Sequence, residues 1–208
     1  MPLFSIDTTP FDQLSIWRIT EDCNYFFTQL QLSKSEQQSL RERFKSIESL
    51  RQFLASRYLV YLRTGVHFRV LTKSKKGKYL PIDGHHISIS HSADWACLSI
   101  SNQLNGIDIQ TAKPSLLKIA PRFIESDILT YYQQKSNTTD LIYFDWGIKE
   151  SIYKAYGKGG LTCKKDIQFY VDETVCPTIC KLIKEETYSF EAYFTKTDHF
   201  YLSYVVQE

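Results

Sequence analysis

No charge of one sign dominates this 208-residue chain: 25 Lys and Arg stand against 23 Asp and Glu, for a net charge of +2. So even a balance raises no strong field toward nucleic acid or an anionic membrane, and neither is expected as a partner. Long hydrophobic runs are missing too. Apolar stretches reach about five residues, as in YLVYL at 58–62, far short of the roughly 20 needed to cross a bilayer. The opening residues, MPLFSIDTTPFDQLSIW, show no basic stretch followed by an apolar run, which argues against a secretory signal. Five cysteines make an odd number, and beside the CxxxC at Cys176 and Cys180 no second Cys/His pair sits at zinc-ligand spacing. A reduced, cytoplasmic protein is the simplest expectation. Glycine-rich phosphate loops are absent as well: neither GxxxxGKS nor GxGxxG occurs, so any nucleotide must be held by side chains and turns.

What is present suits a folded domain. Hydrophobic residues make up 43% of the chain, and its length allows one large domain or two packed halves. The stretch LSIWRIT predicts an opening strand. Ser33 and Glu36 stand at capping-box spacing, so a helix should start there, with Leu40, Phe44 and Ile47 continuing its apolar stripe. A second helix is predicted from IESLRQFLASRYLVYLRTG, with Leu50, Leu54 and Tyr58 on one face and a stop at Gly65. Short strands follow in HFRVL, ISIS, WACLSIS and GIDIQ. After Pro114 the pattern is helical through SLLKIAPRF, ESDILTYYQQ and TTDLIYFDWGIKESIYKAYG. It closes in the strands DIQFYV, TICKLI, YSFEAYF and FYLSYVV. That order predicts two α+β halves, residues 1–105 and 106–208, joined near GIDIQTAKP.

Two stretches carry candidate chemistry. In the strand GIDIQ, Asp108 and Gln110 project together while Ile107 and Ile109 face the core. In FDWGIKESIYKAYGKGG, residues 144–160, Trp146, Glu150 and Lys154 recur every four residues and line one helix face. One reading is an exposed Glu150–Lys154 ion pair beside a buried Trp. The other joins Glu150 to Asp108 as two carboxylates with a neutral amide, a set suited to Mg²⁺ held together with substrate phosphates. His91, at the end of ISISH, is either a structural histidine or a phosphate donor. Arg43, Arg51, Lys76 and Lys78 are surface cations singly, and a pocket for a multiply phosphorylated ligand if they converge.

Taken in order, ISISHSADWACLSIS, GIDIQ and FDWGIKESIYKAYGKGG resemble the motifs of 4′-phosphopantetheinyl transferases of the surfactin-synthetase-activating type. That pattern runs as an ISHS-type strand end, a G-I/V-D-I/V-E strand, and W-x-x-K-E-S/A-x-x-K. His91, Asp108, Trp146, Lys149, Glu150, Ser151 and Lys154 occupy the matching places, and the likeness spans roughly residues 33 to 165. The resemblance implies two similar α+β halves about a pseudo-twofold, acting as a monomer with coenzyme A in the cleft between them. It implies transfer of the phosphopantetheine arm to a serine of an acyl or peptidyl carrier protein, with release of 3′,5′-ADP. Asp108 and Glu150, with Gln110 beside them, would hold Mg²⁺. Glu150 would take the serine proton and Lys154 would offset charge at the phosphate. His91 would contact phosphate, while Arg51, Lys78 and, with less definite alignment, Arg43 would hold the 3′-phosphoadenosine end. A carrier would dock between Pro114 and Asp127, at Leu117 and Phe123.

The chain departs from that pattern twice. Gln110 stands where the family carries Glu, leaving two formal negative charges in place of three, so Mg²⁺ should depend more on the incoming pyrophosphate. GKGGL carries one more glycine than the family's G-K-G-L, which leaves Lys158 either a ligand contact or part of a helix C-cap.

Overall fold

The computed structural model describes residues 3–6, 14–67, 69, 71, 84–169, 171 and 177–208. The chain divides into two units, residues 1–72 with 89–99 and residues 73–88 with 100–208. The architecture is α+β, with two sheets and helices of both long and short kinds.

The first unit contains β1 (Leu3–Phe4), β2 (Ser15–Arg18), α1 (Cys23–Gln29), α2 (Lys34–Arg43) and α3 (Ile47–Thr64). It also takes in most of β3 (His86–Ser92) and β4 (Trp95–Ser101). The sheet order is β1-β2-β4-β3, and β2 runs antiparallel to β4 with Ser15 opposite Leu98 and Arg18 opposite Trp95. The capping box at α2 forms as predicted: Ser33 Oγ accepts from Glu36 N at 3.3 Å, and the Glu36 carboxylate accepts from Ser33 N at 2.8 Å. The predicted stripe does not continue through it. Phe44 turns extended and ends α2, Ser46 caps a new helix, and Ile47 on its first turn is 54% exposed. A serine at 46 offers the next helix a cap, and that local bond outweighs the apolar spacing. α3 buries Leu50, Leu54 and Tyr58 and stops at Gly65, whose φ of 70° places it in the left-handed region. The short helix α1, capped by Asp22 through Tyr25 N at 2.8 Å, was not expected from the sequence pattern.

The second unit contains β5 (Asn105–Gln110), α4 (Ser115–Ile119) continued by a 3-10 turn (Ala120–Arg122), α5 (Ser126–Gln133) and α6 (Thr138–Tyr156). Next come α7 (Cys163–Asp166), β6 (Ile167–Gln168), β7 (Thr178–Ile183), β8 (Thr187–Lys196) and β9 (Tyr201–Gln207). Its strands pair antiparallel in the order β5-β9-β8-β7-β6. α6 lies on this sheet, and Phe144, Ile148, Ile152, Phe190, Ala192 and Val205 share its core. The strand predicted at DIQFYV shortens to Ile167–Gln168. At HFRVL, His67, Arg69 and Leu71 are not in a strand, and Phe68 and Val70 lie outside the described residues. Cys23, Cys163 and Cys180 are free thiols, Cys97 is buried, and Cys176 lies outside the described residues. Among the described residues no helix is long and apolar enough to cross a membrane.

Candidate active site

Two glycines bring α6 against the sheet. A Cβ at Gly106 would fall 1.8 Å from the Ser151 carbonyl oxygen, and one at Gly147 would fall 2.4 Å from Ser203 Oγ. With only hydrogen at these positions, the helix backbone rests directly on β5 and β9. From Leu141 onward α6 is buried on every side except at Trp146, Glu150, Tyr153, Lys154 and its last residue, Tyr156. A helix this apolar belongs in a core. Its single open stripe holds the three residues that the sequence spacing selects.

That stripe meets β5. Lys154 Nζ donates to Asp108 Oδ1 at 2.7 Å and to the Ile107 carbonyl at 2.9 Å. Of the two readings, the exposed i,i+4 pair of Glu150 with Lys154 gives way to a pair across elements, because Asp108 is the deeper carboxylate. The side chain of Asp108 is 6% exposed and that of Lys154 25% exposed. A desolvated carboxylate gains more from a cation than a half-open one does. Glu150 sits beside the pair. Its carboxyl is pushed above its ordinary range, first by burial and then by the negative charge of Asp108, with Lys154 opposing. Ile107 and Ile109 are fully buried, as expected, and Asp108 between them is buried as well. Gln110 ends the strand, half-buried and opposite Tyr201.

One turn earlier on the same helix lies an ion pair that the sequence reading did not anticipate. Lys149 Nζ is 2.6 Å from Asp145 Oδ1, with side chains 3% and 0% exposed, and it donates to the Phe123 carbonyl at 2.6 Å. Tyr132 Oη donates to Asp145 Oδ2 at 3.2 Å. Burial raises the Asp145 carboxyl to about 6 against the pull of Lys149 and Tyr132. The signal was available: two opposite charges at i,i+4 inside an otherwise apolar helix. Trp146 packs edge-on against Phe123, ring centroids 4.8 Å apart. Phe123 itself is buried, so it is not part of an exposed docking face; Leu117 is exposed.

The basic candidates fall in the first unit or outside the described residues. Arg51 pairs with Asp94 in the turn between β3 and β4, and Gln52 Nε2 donates to the Ala93 carbonyl in the same turn at 2.8 Å. Arg51 also lines a pocket of about 290 Å³ together with Asp22, Cys23, Arg41 and Glu48. Arg43 is exposed and lies over the rings of Phe44 and Phe53, at 5.5 and 5.7 Å. His91 is exposed on β3. Lys76 and Lys78 lie outside the described residues.

The glycine-rich end of α6 acts as a stop. Gly157 closes the helix at φ 61°, and Gly159 and Gly160 are also left-handed, at 70° and 71°. Lys158 Nζ donates to Tyr188 Oη at 3.0 Å and lies over the Tyr156 and Tyr188 rings.

Comparison with known proteins places a match at this same region. The profile of the 4′-phosphopantetheinyl transferase superfamily matches residues 105–206. The chain is similar to the 4′-phosphopantetheinyl transferase Sfp of Bacillus subtilis (strain 168), 42% identical over 36% of this chain and 34% of that protein. It is also similar to the 4′-phosphopantetheinyl transferase gsp of Aneurinibacillus migulanus, 31% identical over 64% of this chain and 59% of that protein. A third relative, the 4′-phosphopantetheinyl transferase psf-1 of Bacillus pumilus, is 26% identical over 76% of this chain and 70% of that protein. The matched region thus spans 34% and 59% of the first two relatives' own lengths. Among solved structures, the holo-[acyl-carrier-protein] synthase of Thermotoga maritima aligns with a TM-score of 0.40 and 19% identity, over 50% of this chain and 62% of that one.

Proposed function

We propose that this chain, which matches the 4′-phosphopantetheinyl transferase superfamily through residues 105–206, moves the phosphopantetheine arm of coenzyme A onto a serine of an acyl or peptidyl carrier protein. The observation that supports this reading most is the meeting of Asp108 with Lys154, and of both with Glu150, on the one open stripe of an otherwise buried helix. Two carboxylates and the Gln110 amide fit Mg²⁺ bound jointly with phosphate oxygens. Among the described residues no cluster of three His, Cys, Asp or Glu is present. Asp108 and Glu150, with Gln110 beside them, would hold Mg²⁺. When bound, Mg²⁺ would neutralise charge on the attacked phosphate and on the leaving group.

The chain's own groups have the following parts. The serine Oγ forms a bond to the phosphorus that carries the pantetheine. The anhydride P–O bond breaks, and its electron pair leaves with 3′,5′-ADP. Glu150 accepts the serine proton, a role helped by a carboxyl raised above its ordinary range. Lys154 sets positive charge where negative charge develops. Residues 106–208 would supply this chemistry. Residues 1–105 would supply His91 to phosphate, and Arg51, Lys78 and Arg43 to the 3′-phosphoadenosine end. The protein would act as a monomer in a reducing cytoplasm.

The test is to incubate the protein with coenzyme A, Mg²⁺ and an apo carrier protein and weigh the carrier. A gain of one phosphopantetheine arm is the expected result. Binding of coenzyme A without that gain would make the protein a binding module, for which Gln110 would be the mark of lost catalysis. Release of 3′,5′-ADP without a carrier would make it a hydrolase.

A further inference from the structure

We propose that Lys149 and Asp145, with Tyr132 and the Phe123 carbonyl, are positioning residues: a buried cross-link that fixes the turn of α6 bearing Glu150 against the segment leading into α5. As far as it concerns Glu150, the inference rests on the transferase reading.

A lysine 3% exposed and an aspartate 0% exposed are expensive to desolvate, and apolar side chains of similar size would fill the same space with less penalty. Direction is what the polar groups add. Lys149 Nζ is shared between the Asp145 carboxylate and the Phe123 carbonyl, and it lies over the rings of Phe123 and Phe169, at 5.9 and 5.3 Å. Tyr132 Oη donates to Asp145 and accepts from Val171 N at 2.8 Å. The network therefore joins four stretches: the turn after α4, α5, α6, and the chain beyond β6. Apolar packing tolerates sliding, whereas bonds of fixed direction between several elements admit one arrangement. The two neighbours of the network on the open stripe are Trp146, which packs on Phe123, and Glu150, which directly follows Lys149. A rotation of this turn would carry both with it.

The experiment uses the full chain with Asp145→Leu and Lys149→Met combined. Removing both charges together avoids leaving either one buried alone, so the thermal midpoint should stay within about 5 °C of the wild type. Amide exchange across residues 120–128 should run about tenfold faster. The kcat for arm transfer should fall about tenfold or more while KM for coenzyme A holds, because a small misplacement of the reacting group is costly. Wild-type exchange and wild-type kcat in the double variant would overturn the proposal. Should the double variant fail to fold, Tyr132→Phe removes a single hydroxyl. About threefold faster exchange over the same residues would then support the proposal, and unchanged exchange would overturn it. A wild-type chain that transfers nothing to any carrier would sink the transferase reading, while the exchange comparison would still decide the positioning claim.

Discussion

Lys149 and Lys154 stand five residues apart on one helix, and their ion pairs differ in what surrounds them. Lys149 and Asp145 are closed off, at 3% and 0% exposure, and are held within α6 and to the Phe123 carbonyl. Lys154, at 25%, is partly open to solvent and joins the helix to Asp108 on β5, itself buried at 6%. A fully enclosed pair has no access to a ligand, so its charges serve the fold. A pair reached by solvent can trade its partner for a phosphate or a metal. Depth, more than the identity of the residues, separates the enclosed lysine from the one a ligand can reach.

The largest effect should come from breaking the close approach of α6 to β5, on which the Lys154–Asp108 pair depends. In Gly106→Ala the new Cβ meets backbone, which cannot swing away, and the loss of stability should exceed about 3 kcal/mol in chemical denaturation. A midpoint equal to the wild type would contradict that contact. Next comes Lys149→Met, which strands the Asp145 carboxylate and should remove about 3–5 kcal/mol of stability. Lys154→Met is its counterpart. It leaves the buried Asp108 carboxylate with one partner fewer but keeps it at the open edge of the helix, so it should cost about 1–3 kcal/mol, less than Lys149→Met, yet slow carrier modification about 100-fold. If the two lysine variants lost stability and rate in the same proportion, the distinction between them would fall. The smallest effect sharpens the open side of the comparison: Gln110→Glu should lower the Mg²⁺ concentration for half-maximal rate about two- to fivefold. An unchanged or higher requirement would place Gln110 away from the metal.

Local signals in the sequence carried most of the element order. The Ser33–Glu36 box, the stop at Gly65 and the burial of Ile107 and Ile109 each depend on neighbours in the chain, and each forms as read. Reading failed where distant groups decide. The i,i+4 spacing left Glu150 open as one partner of Lys154, and only the fold decides for Asp108, 46 residues away and more deeply buried. Phe123 looked like part of a docking face and instead packs beneath Trp146. The stripe from Leu40 to Ile47 broke because Ser46 offered the next helix a cap. α1 escaped notice because its seven residues are too few to display a period.

The central claim is that the open stripe of α6, with Asp108 beneath it, performs the transfer. The most direct measurement is the mass of an apo carrier protein after incubation with coenzyme A, Mg²⁺ and either the wild-type chain or Glu150→Gln. The carrier should gain one phosphopantetheine arm with the wild type and none with the variant, which should still bind coenzyme A. Full modification by Glu150→Gln would contradict the account.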